Sequence, residues 1–253
     1  MIKRLFRDTR LQVGFTLFLV WILDIWHFRF DPNLPQIIVY PLLSIAIISA
    51  LDFGLTWLRY RKKYLPTAPV VSGFLIGLIL APSEPVYVIL AASILVSLSK
   101  HFLAAGVRRH IFNPAAFGIM GAYFLFGTTV SWWGVSWSKL PLIILVTLMA
   151  RILYKMHRLY LPLAFLAVYT AYFLRLEIIF DPTILLFALV MLPEPMTSPA
   201  VGYFKYLFGA LVAIVAILIS NFTKIPEVFL PALLLSNFLS FTYLKLKEQA
   251  KKV

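Results

Sequence analysis

The chain has 253 residues, 62% of them hydrophobic, and a mean hydropathy of +0.92. That much apolar surface excludes a single soluble core and makes lipid the solvent for most of the chain. The absence of cysteine excludes disulfides and thiolate-held iron–sulfur clusters. The net charge of +13 comes from 23 Lys and Arg set in short clusters between apolar runs, a distribution that argues for topology signals and against nucleic acid as a partner.

The N-terminal stretch MIKRLFRDTRLQVGFTLFLV has the charged start and apolar follow-on of a secretory signal. Its apolar run is long and no small-residue cleavage site follows, so an uncleaved first span is predicted at 11–29. Runs long enough to cross about 30 Å of hydrocarbon at about 1.5 Å per residue follow at 37–58, 86–101, 114–128, 139–156, 158–175, 203–221 and 226–246. Two shorter apolar stretches lie at 67–82 and 182–193. If the N-terminus is cytoplasmic and all ten segments cross, 19 Lys and Arg fall on the cytoplasmic side. Only 4 (Arg29, Lys139, Arg175 and Lys224) fall outside, a bias that predicts both termini cytoplasmic.

The sequence is weakly similar to itself at an offset of about 111 residues, or five segments. GLILAPSEPVYVILAASILV around Pro82 matches FALVMLPEPMTSPAVGYFKYLF around Pro193, and NPAAFG at 113–118 has a loose counterpart in IPEVFLP at 225–231. An odd number of segments per repeat inverts the second copy, and short, Pro-broken segments at corresponding positions of inverted halves point to a midplane site.

Four carboxylates, Asp24, Asp52, Glu84 and Glu194, lie in or beside apolar segments where an ionised group is costly. Glu84 and Glu194 each sit between prolines that remove backbone donors and free nearby carbonyls, which suits the binding of a cation or a polar ligand. Asp24 is three residues from His27, close enough to pair on one helix face. Only His27 lies within a span, so a pair of facing haem ligands is not available. Trp132, Trp133 and Trp137 are expected in an interfacial belt. In SKHFLAAGVRRHIFNPAAFG, Lys100, Arg108 and Arg109 could meet a phosphate or lipid headgroup, and Asn113-Pro114 starts the next helix.

At these stretches the chain resembles the NqrB/RnfD family, the membrane subunits of sodium-pumping quinone reductases and of ferredoxin-linked Rnf complexes. SGFLIGLILAPSEPVYVILAASILVSLSKHF followed by HIFNPAAFG is similar to that family's small-residue helix, Pro-acid turn, lysine and F-N-P-A signature. FALVMLPEPMTSPAVGYFKYLFGALVAI is similar to its D-P-x-T-S-P segment, with Glu194 in place of the usual aspartate. The resemblance implies an all-α polytopic membrane protein of about ten transmembrane or half-membrane helices in two inverted five-segment repeats, residues 1–128 and 129–253, similar to urea-transporter-type channels. It also implies flavin-mediated electron transfer coupled to ion movement in a prokaryotic inner membrane, with partner redox subunits or an FMN-binding-domain protein. Flavinylated members carry an S-G-A-T-like motif between the fifth and sixth segments. Here that region reads GTTVSWWGVSWSKLP and has no such motif; Thr128, Thr129, Ser136 and Ser138 are hydroxyls in the vicinity, and none has the expected neighbours.

Together these readings predict non-covalent binding of riboflavin or FMN, because neither a thiolate nor a haem pair exists and any redox centre must be an organic cofactor. Glu84, Glu194, Thr197, Ser198 and Asn113 are expected to line the site, with Lys100, Arg108 and Arg109 facing a phosphate or a partner. A channel or carrier for a small solute or a flavin on the same scaffold is the alternative.

Overall fold

A computed structural model describes residues 8–61, 67–106, 109–199 and 203–250. Among them the chain is almost entirely helical, and every predicted segment is a helix within a few residues of its expected bounds. The helices are α1 (Thr9–His27), α2 (Leu34–Tyr60), α3 (Ala68–Ile79), α4 (Val86–Phe102), α5 (Pro114–Phe126), a short α6 (Trp133–Ser136), α7 (Lys139–Lys155), α8 (Tyr160–Phe173), α9 (Pro182–Leu186), α10 (Phe204–Phe222) and α11 (Phe229–Ala250). A π-turn over Phe187–Met191 continues α9. Two short strands, β1 (Ala104–Gly106) and β2 (Arg109–His110), pair antiparallel between α4 and α5; three and two residues long, they carry no periodic signal that the sequence could have shown.

The helix ends follow local chemistry. Asp8 caps α1 by accepting from the Arg10 N–H at 2.9 Å, Asn113 caps α5 by accepting from Ala116 at 3.0 Å, and Asp181 caps α9 by accepting from Ile184 at 3.0 Å. Proline occupies the first turn of α2, α3, α5 and α9, where no amide donor is needed. Gly127, in the left-handed region at φ 67°, stops α5 two residues earlier than its apolar run predicts.

Helices α1, α2, α10 and α11 contain windows long and apolar enough to cross a membrane. By contrast, the 12 residues of α3 are only about 18 Å long, and α9 with its π-turn is shorter still, too short for about 30 Å of hydrocarbon. Their ends at Ile79, Leu80, Met191 and Leu192 are buried, so both stop inside the bundle.

Packing relies on close backbone approach. In α3, Gly73 faces the Ile45 backbone and Gly77 faces Pro41 of α2, a small-xxx-small pattern. In α10, Gly209 lies against the Leu161 carbonyl of α8. Helix α2 packs on α3 and α4, α8 on α10, α4 on α5, and α10 on α11, while α1 packs on α7 and α5 on α11 across the two halves of the chain. The shared core is aromatic where α8, α9 and α11 meet. Phe187 lies 5.3 Å from Phe165 and 5.2 Å from Phe229, ring centre to ring centre. Outward-facing Phe15, Trp26, Leu163 and Leu207 are exposed, as lipid contact requires.

A methyl group on Gly209 would collide with Leu161 and Phe165 backbone atoms, whereas one on Gly54 of α2 would meet nothing within 4 Å. Gly209→Ala should therefore cost about 1–3 kcal/mol, while Gly54→Ala should be neutral or slightly stabilising. Thermal unfolding of the two variants in detergent checks the contrast.

Candidate functional site

The starts of α1, α3 and α5 and the ends of α2, α4, α7 and α9 converge around a cavity of about 760 Å³. That volume lies within the range used by cofactor-sized ligands. Its lining includes apolar Val71, Leu75, Met149, Leu153 and Val190. It also includes the charged and polar residues Arg10, Asp52, Arg59, Lys100, His101, His110, Asn113 and Glu194.

Lys100 is buried and 3.0 Å from Oδ2 of buried Asp52; His101 Nε2 stands 3.6 Å from the other carboxylate oxygen. Pairing is what makes both charges tolerable out of water. Arg59 donates to the His101 carbonyl at 2.6 Å and joins the end of α2 to the end of α4. His110, in the hairpin outside the helices, is pushed down to about 4 by burial and by the nearby Lys100 charge, so it is neutral at pH 7. Its buried Nδ1 has no hydrogen-bond partner.

Asn113 holds the α9 break in place. Its Nδ2 donates to the Met191 carbonyl at 3.1 Å, at the end of the π-turn, and its backbone N–H donates to Asn237 Oδ1 of α11 at 3.0 Å. One asparagine thus caps α5, satisfies a carbonyl freed by the end of α9 and ties both to α11. The following LPEPMTSP turn folds on itself around Glu194. The Ser198 hydroxyl donates to the Glu194 carbonyl at 2.6 Å, and the Thr197 hydroxyl donates to its Oε2 at 3.1 Å. Arg158, buried before α8, donates to Ser198 Oγ and to the Pro193 carbonyl.

Of the residues singled out from the sequence, Lys100, Asn113 and Glu194 line the cavity, and Thr197 and Ser198 shape the turn that presents Glu194. Glu84 is elsewhere. It follows the opposite end of α3, where its Oε1 accepts from Thr129 N–H at 2.7 Å and its carbonyl accepts from Tyr40 Oη at 2.6 Å. The two Pro-flanked glutamates therefore do not share one cavity. Arg108 lies outside the described residues, and so does the side chain of Arg109, whose backbone belongs to β2.

Two other expectations are corrected. Trp132, Trp133 and Trp137 point inward rather than forming a belt: their indole N–H groups donate to Glu227 at 2.7 Å, to the Gly77 and Leu80 carbonyls at 3.0 and 2.9 Å, and to Asp24 at 2.6 Å. Asp24 therefore bonds Trp137 instead of His27, whose ring stacks on that same indole at 3.9 Å.

Glu227 was passed over in the sequence. Its Oε1 accepts from the Phe229 and Leu230 N–H groups at 2.8 and 2.9 Å, capping α11. An acidic residue just ahead of an apolar run was the available signal. Arg10 was passed over because it reads as one more positive-inside charge.

The residues present suit a flavin: an apolar wall for a ring face, donors and acceptors at Asn113, Glu194 and Lys100, and an orphaned His110 nitrogen. The hydroxyls of the 127–141 region are used differently. Ser138 caps α7, Ser136 bonds the Trp132 carbonyl, and none of Thr128, Thr129, Ser131, Ser136 and Ser138 lines the cavity.

Fold and site define a multi-pass, helical membrane protein with a polar cavity among broken helices. The model of the NQR2, RnfD, RnfE family matches residues 3–139, more than half of the chain. The chain belongs to that family, and so to the membrane subunits of Nqr- and Rnf-type complexes. The match ends before the α9–α10 turn, and no curated protein matches the chain.

Removing one partner of the Asp52–Lys100 pair strands the other charge, so Asp52→Asn or Lys100→Met alone should cost about 3–5 kcal/mol. The double variant should lose less than the sum of the two. A double-mutant cycle by thermal unfolding reads the difference.

Proposed function

We propose that this chain is an RnfD-like subunit that holds riboflavin or FMN non-covalently in the cavity and relays electrons with partner redox proteins, coupled to ion movement. The carrying observation is a cofactor-sized cavity lined both by Lys100, Asn113 and Glu194 and by apolar side chains. A bound flavin supplies redox chemistry that the side chains of a cysteine-free chain do not. The chain's own part is to orient the ligand through Asn113 and Glu194, to keep Glu194 in place through Thr197, Ser198 and Arg158, and to exclude water with the Val71, Leu75 and Met149 wall. On this reading the partners are other membrane redox subunits or an FMN-binding-domain protein. The membrane is the prokaryotic inner membrane, with both termini and the basic cavity end cytoplasmic.

We also propose that residues 1–128 and 129–253 form two inverted five-helix halves. Supporting this is the exchange between them. The end of α3 is joined to the start of α11 through Trp132, which bonds both Ile79 and Glu227; the end of α9 is joined to the start of α5 through Asn113. Helices α1 with α7 and α5 with α11, which occupy equivalent positions in such halves, pack on each other.

Protein purified from native-like membranes should show a flavin absorption band that bleaches on reduction, and Asn113→Ala and Glu194→Gln should lower the flavin retained. A colourless protein that moves solute across liposome membranes would replace this reading with that of a channel or carrier.

A further inference from the structure

We propose that Arg10 selects the charge of the cavity's ligand, favouring a flavin that carries a phosphate, the mononucleotide, over bare riboflavin. The inference rests on the flavin reading above and adds the residue that reads the ligand's charge.

The cations on the cavity wall are not equivalent. Lys100 is neutralised by Asp52 at 3.0 Å, and Arg59 is engaged by the His101 carbonyl at 2.6 Å. His110 is neutral at pH 7. Arg10 makes no ion pair among the described residues, and it is exposed on the first turn of α1 at the cavity wall. It lines the same cavity as Lys100, His110 and Glu194, groups on three different elements.

The turn bearing Arg10 is anchored. Asp8 Oδ1 accepts the Arg10 backbone N–H, and Asp8 Oδ2 accepts the Thr67 hydroxyl at 3.3 Å, which ties the start of α1 to the entry of α3. A guanidinium on a fixed turn meets a phosphate with two parallel N–H groups and is always charged. The Glu194 carboxyl on the same cavity offers an anion no positive partner. A ligand with one anionic end and one neutral, hydrogen-bonding end is therefore oriented with its phosphate at Arg10 and its ring toward Glu194 and Asn113.

The test is to titrate riboflavin and FMN into the full chain in phosphatidylcholine nanodiscs and follow quenching of flavin fluorescence. Expected is tighter binding of FMN by about 10- to 100-fold, the worth of a charge-assisted contact. Arg10→Gln should abolish that preference and leave riboflavin affinity unchanged. Lys224→Gln removes the same charge outside the cavity and should retain the preference. Equal affinities in the unaltered protein, or an Arg10 variant that behaves like the Lys224 variant, would overturn the proposal while leaving the flavin reading standing. Loss of the FMN preference when phosphatidylglycerol is added would assign Arg10 to a lipid headgroup and overturn it too. Failure of both flavins to bind would remove the flavin reading and this inference with it.

Discussion

Two helices of this protein stop inside the bundle, and the backbone groups that they free must find partners where lipid offers none. Much of the rest follows from how that requirement is met. At the end of α3, the Gly77 and Leu80 carbonyls accept from the Trp133 indole, the Ile79 carbonyl accepts from the Ser131 and Trp132 amides, and Leu80 bridges to Val130. At the end of α9, Asn113 supplies the donor and Ser198 closes the turn. In each case the partner precedes or starts a helix that packs elsewhere, so satisfying a broken helix also fixes where another one begins.

Electrostatics at the cavity obey the same economy of partners. Lys100 could read as a ligand-facing cation until its distance to Asp52 is known; the pair is 48 positions apart in sequence and is made only by the packing of α2 on α4. Once it forms, Lys100 is a paired charge inside the bundle rather than a free one. Burial keeps His110 neutral beside it.

The ten apolar segments and their approximate bounds were legible in the sequence, because hydropathy and proline punctuation act locally; the four-residue α6 was not. So was the importance of the broken stretches, since prolines beside a carboxylate inside apolar sequence have few ordinary uses. What could not be read was direction. Trp132, Trp133 and Trp137 have the composition of an interfacial belt, yet each turns inward because a freed carbonyl or a buried carboxylate lies within reach. Likewise Asp24 and His27 share a helix face by spacing, but the indole of Trp137, more than a hundred residues away, separates them by bonding one and stacking on the other. Such choices depend on which distant segment arrives, and nothing within a local window encodes it.

The two breaks are alike in sequence and unlike in consequence. Both follow a short helix, both carry a Pro-flanked glutamate, and both are joined to the start of a helix in the other half. At the first, bulky indoles and a strand-like bridge fill the space beyond the helix end, and Glu84 is left holding the Thr129 amide. At the second, the joining group is the side chain of a single asparagine, small enough to leave room beside it, and Glu194 borders a cavity. The groups that satisfy the two broken helices differ in size, and the cavity lies at the break that the smaller one closes: Asn113 bonds the end of α9, whereas Trp132 and Trp133 bond the end of α3.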